Sequence, residues 1–154
     1  MKEGLTVSPF PSKVRKNLRK IIPEEVHPGT SVHNPVDLAG YGWNPNIFSR
    51  VVETVAGYDG IDFTLIHTTV AFGLYRGTNA QLDMQTNALI QAKKNLDKPV
   101  AVVIYHSGDL EAIKDAFSTQ EKYLKAGIPV FPSFVRAARA MSKFVQYYET
   151  KEGT

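Results

Sequence analysis

The stretch Pro99-Val100-Ala101-Val102-Val103-Ile104-Tyr105 decides the fold. It is apolar at consecutive positions and rich in β-branched residues. A half-wet strand alternates apolar with polar. A continuous apolar run of this length predicts a parallel strand covered by helices on both faces. The run is also far too short for a bilayer-spanning helix, which needs about 20 apolar residues.

Outward from this strand, helical and strand patterns alternate. Asp109 opens a helix with Leu110, Ile113, Phe117 and Leu124 on its apolar stripe, and Gly127 stops it. Ile128 to Phe131 reads as a short strand. Pro132-Ser133 then leads into a last helix striped by Phe134, Ala137, Ala138, Met141, Phe144, Val145 and Tyr148. On the other side, a helix from about Asn79 to Leu96 turns Leu82, Leu89 and Ile90 inward. Before it lie a loop, Val70 to Thr78, and a β-branched strand, Ile61 to Thr69. Asn44-Pro45 caps and opens a helix with Ile47, Phe48, Val51, Val52 and Val55 as its apolar positions, closed by Gly57 and Gly60. Ser31 to Leu38 is the first strand candidate, weakened as an interior strand by Pro35. Ser12 to Ile22 forms an amphipathic helix ended by Pro23. Its basic face, Lys13, Arg15, Lys16, Arg19 and Lys20, is either a solvated surface or a docking face for an acidic partner or polyphosphate.

Strands alternating with helices predict right-handed β-α-β units. The expected fold is α/β, a flavodoxin-like three-layer sandwich with a parallel sheet of about four or five strands. Residues 1–22 form a lead-in and amphipathic helix, 23–150 a single domain, and 151–154 a tail.

Composition agrees with one globular domain: 154 residues, 43% hydrophobic and 21% charged. The net charge of +3 is too small to argue for nucleic acid without a module pattern, and none is present. No cysteine occurs, so disulfides and thiol chemistry are excluded. The N-terminus lacks a signal-peptide core, and the expected compartment is the cytoplasm.

Ligands of parallel sheets gather outside the carboxyl ends of the strands. Here that edge comprises residues 37–45, 67–79, 105–109 and 131–134. Helix N-termini at Asn44, at Ser107 or Asp109, and at Ser133 offer N–H groups to an anion. Glycines at 40–42 and 73–77 permit close backbone approach. There is no Walker loop, no G-x-G-x-x-G and no G-x-S-x-G elbow. The histidines, His27, His33, His67 and His106, form no metal-type pair at helical spacing. His67 and His106 both fall at carboxyl strand ends and are candidate neighbours, structural or catalytic. Asp37 is either a turn-fixing residue or a catalytic one. The residues alone therefore describe a ligand or partner edge without a self-sufficient catalytic set.

Two segments carry a family resemblance. Asn34-Pro35-Val36-Asp37-Leu38 resembles the N-P-V-D-L stretch of NDP-forming acyl-CoA synthetases. Gly127-Ile128-Pro129-Val130-Phe131, followed by Arg136-Ala137-Ala138-Arg139-Ala140, resembles their G-I-P-V-(Y/F) strand and Ala-rich helix. Lys98-Pro99-Val100 and the helix ending at Pro23 fall at matching places. The likeness covers nearly the whole chain and points to the second ligase-type flavodoxin-like domain of that family, related to the ligase domain of the succinyl-CoA synthetase β subunit.

The resemblance implies a part of an enzyme that interconverts acyl-CoA, NDP and phosphate with acid, CoA and NTP. The family's phosphohistidine lies in another domain, and its S-H-T-G loop is absent here, His67-Thr68-Thr69 included. Helix N-termini of this domain would face that loop, with Asn34, Asp37, Gly40, Thr68, Thr69 and Gly73 as contact residues. No cofactor is expected on this chain alone; CoA and NTP with magnesium belong to the complete enzyme. The implied partners are CoA-binding and ATP-grasp domains or subunits, with no nucleic acid and no membrane. The alternative is a noncatalytic regulatory or binding module. A flavin binder would need a Ser/Thr-rich loop after the first strand, and a phosphorelay receiver would need an Asp where Tyr105-His106-Ser107 stands.

Overall fold

A computed structural model describes residues 4–70 and 79–152. At its centre runs β2, Val100–Tyr105, buried from Val100 to Ile104. The consecutive apolar side chains enter two different layers, because neighbouring residues of a strand point to opposite faces. β1, Thr64–Thr69, pairs with β2 in parallel, Thr64 opposite Val100 and Thr69 opposite Tyr105. β3, Val130–Phe131, pairs in parallel on the other side, Val102 opposite Val130. The strand order is β1-β2-β3.

The chain is therefore a mixed α/β protein with a three-stranded parallel sheet among the described residues, not the about four or five strands expected from β-α-β alternation. The difference lies in Ser31 to Leu38. The Ser31 N–H donates to the Asp37 carbonyl at 2.8 Å, and the Asp37 N–H to the Ser31 carbonyl at 2.9 Å. This single antiparallel bridge closes the segment on itself. Pro35, between the two, has no N–H to give. Folded back in this way, the segment does not present the extended row of donors and acceptors that a strand beside β1 would need.

Among the described residues there are five helices: α1, Ser12–Ile21; α2, Pro45–Ala56; α3, Asn79–Lys93; α4, Leu110–Lys125; and α5, Phe134–Glu152. Short 3-10 turns occupy Glu24–Gly29 and Ala39–Trp43. On one face, Ile66, Val100, Val102 and Ile104 meet Phe48 and Val52 of α2, Leu82 and Leu89 of α3, and Ala112, Ala116 and Tyr123 of α4. On the other, α5 packs against β2 and β3 and buries Ala137 and Met141. His67 points to this second face and lies 5.4 Å from Phe134, ring centre to ring centre. A second cluster, Phe10, Val14, Leu18, Ile22, Val32 and Val51, fastens α1 to α2.

Two local signals act as read. Asn44 caps α2, its Oδ1 accepting from Asn46 N and Ile47 N at 3.0 and 3.2 Å. Gly127 takes φ +72°, a left-handed conformation that suits glycine. Its N–H donates to the Leu124 carbonyl and that of Ile128 to Tyr123, which satisfies the last carbonyls of α4.

The apolar stripe of α4 does not face the core. The buried residues of this helix are Ala112, Ala116, Thr119 and Tyr123. Leu110, Phe117 and Leu124 are 75%, 67% and 52% exposed. Small residues let α4 approach α3 closely, and Lys122 bonds Asp83 of that helix at 2.6 Å. Tyr123 fills the remaining depth with its hydroxyl beside those of Thr86 and Thr68, and burial pushes its phenol up to about 12. No hydrogen bond of full geometry closes on Tyr123 OH or Thr68 Oγ1. No described helix is long and apolar enough to cross a membrane.

Candidate functional site: a cleft along the free edge of β1

In a parallel pair, alternate residues of a strand direct both backbone groups at the same neighbour. The Thr64 N–H donates to the Pro99 carbonyl at 3.0 Å. Thr64, Ile66 and Thr68 are thus committed to β2, and the backbone groups of Leu65 and His67 point the other way. No described strand pairs with β1 on that side.

A cleft of 870 Å³ runs along this edge. Its walls are β1, the apolar side of α2 (Phe48, Val51, Val52 and Val55) and the segment from Asn34 to Trp43 that folds back instead of joining the sheet. Asn34, Asp37, Gly40, Thr68 and Thr69 all border it. Five of the six contact residues expected from sequence thus share one cavity. The sixth, Gly73, and the rest of residues 71–78 lie outside the described residues.

The individual roles are specific. Asn34 Nδ2 donates to the Ser8 carbonyl at 2.9 Å and ties the rim to the N-terminal segment. Asp37 Oδ1 accepts from Ala39 N at 2.8 Å, the turn-fixing geometry of an Asx turn. Ala39 follows with φ +46°, a left-handed conformation that costs a non-glycine residue about 1–2 kcal/mol. Gly40 has open space where a Cβ would stand, so crowding does not demand glycine there. Thr69, opposite Tyr105, sits at the carboxyl end of β1.

The helix N-termini expected to receive an anion are closed by their own side chains. At α2, Pro45 has no N–H, and those of Asn46 and Ile47 go to Asn44. At α4, Asp109 Oδ1 accepts from Ala112 N at 2.8 Å. The Ser107 hydroxyl, first, and the Ala112 N–H hold the Asp109 carboxyl below its ordinary range. A carboxylate already fills the place a phosphate would take. At α5, Arg136 N donates to Ser133 Oγ at 3.3 Å. No Lys or Arg borders the cleft, and Asp37 is its one carboxylate among the described residues. The cavity therefore suits a largely apolar occupant with backbone-like polar groups.

Gln85 is the site residue that sequence reasoning missed. It is only 6% exposed and borders the cleft. Its Nε2 donates to the Gly42 carbonyl at 2.8 Å, holding the Ala39–Trp43 turn against α3, and its Oε1 has no partner. The signal was present: Gln85 stands three residues after Leu82 and four before Leu89, on the helix face that both define.

The two sheet histidines are not neighbours. His67 pairs in register with Val103, three residues short of His106, a distance of about 10 Å along the strand. His106 Nδ1 lies 2.9 Å from the Ser107 carbonyl. No group of His, Asp and Glu able to hold a metal occurs among the described residues. No family model, curated protein or solved structure matches the chain.

Proposed function

We propose that this chain is a ligase-type, flavodoxin-like domain or subunit of an NDP-forming acyl-CoA synthetase, inert alone, whose cleft receives an extended segment from a catalytic partner domain. The observation that carries the proposal is the 870 Å³ cleft on the unpaired edge of β1, bordered by the residues that the family resemblance selects. An entering segment would pair its backbone with Leu65 and His67, as an added strand does. Its apolar side chains would lie against α2, and Gln85 Oε1 would accept one of its N–H groups. In the complete enzyme the segment is the phosphohistidine loop, and CoA and magnesium–NTP bind to the CoA-binding and ATP-grasp partners. Because Asn44 occupies the N–H groups of α2 and the Thr68 hydroxyl is buried beside Tyr123, contact with phosphoryl charge falls to Thr69.

The capped helix ends and the absence of a cation around the cleft among the described residues favour a second reading, a noncatalytic regulatory module that holds a segment without phosphoryl transfer. Both readings are tested together. The chain alone, given acid, CoA, ATP and magnesium, should form no thioester; turnover at an enzyme-like rate refutes both. Mixed with the CoA-binding domain, the ligase-type domain that carries the phosphohistidine and the ATP-grasp domain, it should restore thioester formation, and Thr69→Trp should abolish phosphorylation of the partner's histidine with the fold intact. Binding of the partner domains without restored turnover selects the regulatory module. Unchanged phosphorylation in Thr69→Trp places the contact elsewhere.

A further inference from the structure

Among the described residues nothing covers the outer face of α4. Successive helical residues are rotated by about 100°, so residues seven apart nearly align. Leu110, Phe117 and Leu124 stand at that spacing, 75%, 67% and 52% exposed, with half-buried Ile113 beside them. Three large apolar side chains in line are more than the scattered exposed hydrophobics of an ordinary surface. The inner face of the same helix is already filled by Ala112, Ala116, Thr119 and Tyr123.

The charges along this stripe have a symmetry. Leu110 and Leu124 lie seven residues on either side of Phe117. Lys114 is three residues before Phe117 and Glu121 four after it. Glu111 is six before and Lys125 eight after. At about 100° per residue these charges all fall on one flank of the stripe, Lys114 and Glu121 nearest to it. Among the described residues Lys114 and Glu111 have no ion-pair partner, and Lys125 holds only Glu121 of its own helix at 2.7 Å.

In an antiparallel helix pair related by a two-fold axis, each flank faces the same flank of the other helix. With the axis at Phe117, the two Phe117 rings meet and Leu110 of each copy packs on Leu124 of the other. Lys114 then faces Glu121, and Glu111 faces Lys125, each twice. A parallel pair would instead set this charged flank against the opposite flank of the other helix, leaving the four charges without these partners.

From this complementarity we infer that the outer face of α4 is an antiparallel dimer interface whose occupant is a second copy of this chain. The inference rests on α4 alone and is independent of the cleft. One pair of four-turn helices buries an area at the low end of specific interfaces, below roughly 1,200 Å². The dimer is therefore reversible, with a dissociation constant on the order of 10–100 µM.

Sedimentation equilibrium across that concentration range tests it, with circular dichroism to confirm that each variant is folded. The wild-type chain should pass from monomer to dimer. Phe117→Lys should weaken association roughly tenfold or more. Lys114→Glu should weaken it less, and adding Glu121→Lys to that variant should restore it. The chain has no cysteine, so single introduced cysteines report orientation cleanly. A short bis-maleimide should join Leu110→Cys to Leu124→Cys in a mixture and join neither to itself as well. A monomer at every concentration, a dimer indifferent to Phe117→Lys, or self-linking of Leu110→Cys as efficient as the mixed product would each overturn the inference.

Discussion

β2 and the segment from Ser31 to Asp37 are similar in length, and helices flank both. One is the middle of the sheet, paired on both sides and buried from Val100 to Ile104. The other pairs only its own ends and leaves Val36 half-buried. The difference teaches what a sheet requires beyond apolar side chains. β2 offers uninterrupted N–H and C=O groups to two neighbours, whereas Pro35 and the Ser31–Asp37 bridge take them away. The space the segment leaves beside β1 is the cleft. A failed strand and a cavity are here the same structural event.

The comparison can be broken most directly by truncation in each region. Val102→Ala, at a site with no exposure, should cost about 2–3 kcal/mol in urea unfolding through lost transfer energy and a residual cavity. Val36→Ala should cost less than about 1 kcal/mol, since its side chain is only partly removed from water. Equal losses would mean that the segment belongs to the core as fully as β2 does.

A smaller effect is expected at the junction between cleft and helix. Asn44→Ala removes the acceptor for Asn46 N and Ile47 N and should cost about 1 kcal/mol. It should also free those N–H groups, so that inorganic phosphate perturbs the amide resonances of Asn46 and Ile47 in the variant and not in the wild type. Phosphate shifts of equal size in the wild type would show that the cap does not close this helix end.

The smallest effect concerns pH. The Ser107 hydroxyl and the Ala112 N–H depress the pKa of Asp109 in the folded chain. A depressed carboxyl pKa favours the folded state above the unfolded value, and the benefit is lost as pH falls through the folded value. Thermal midpoints of wild type and Asp109→Asn should therefore differ at neutral pH and converge in acid. Glu121, lowered by Lys125, titrates in the same acid direction in both proteins and does not mask the difference. A constant offset at all pH values would assign the effect to shape and not to charge.

Much of the fold was legible because its signals are short-range. The unbroken apolar run marked β2, Asn44-Pro45 marked the start of α2, and Gly127 marked the end of α4. Each works through backbone groups within a few residues. The cleft was legible in part. Asn34, Asp37, Gly40, Thr68 and Thr69 meet there, while Gln85 was overlooked because a glutamine within a helix looks solvent-facing until its neighbours Leu82 and Leu89 are placed inward.

By itself the sequence determined that strands and helices alternate, that the sheet is parallel, and where several helices begin and end. Those properties depend on side-chain period, on proline and glycine, and on caps that bond their own helix. Only the tertiary structure decided which face of α4 is inside and which edge of β1 is left open. Periodicity ranks helix faces by hydrophobicity, but packing selects them by shape. The small Ala112, Ala116 and Thr119 allow the close approach that seats Tyr123, so the larger Leu110, Phe117 and Leu124 are turned out. The open edge has the same kind of cause: Ser31 takes its backbone hydrogen-bond partner from Asp37 of its own segment and not from β1.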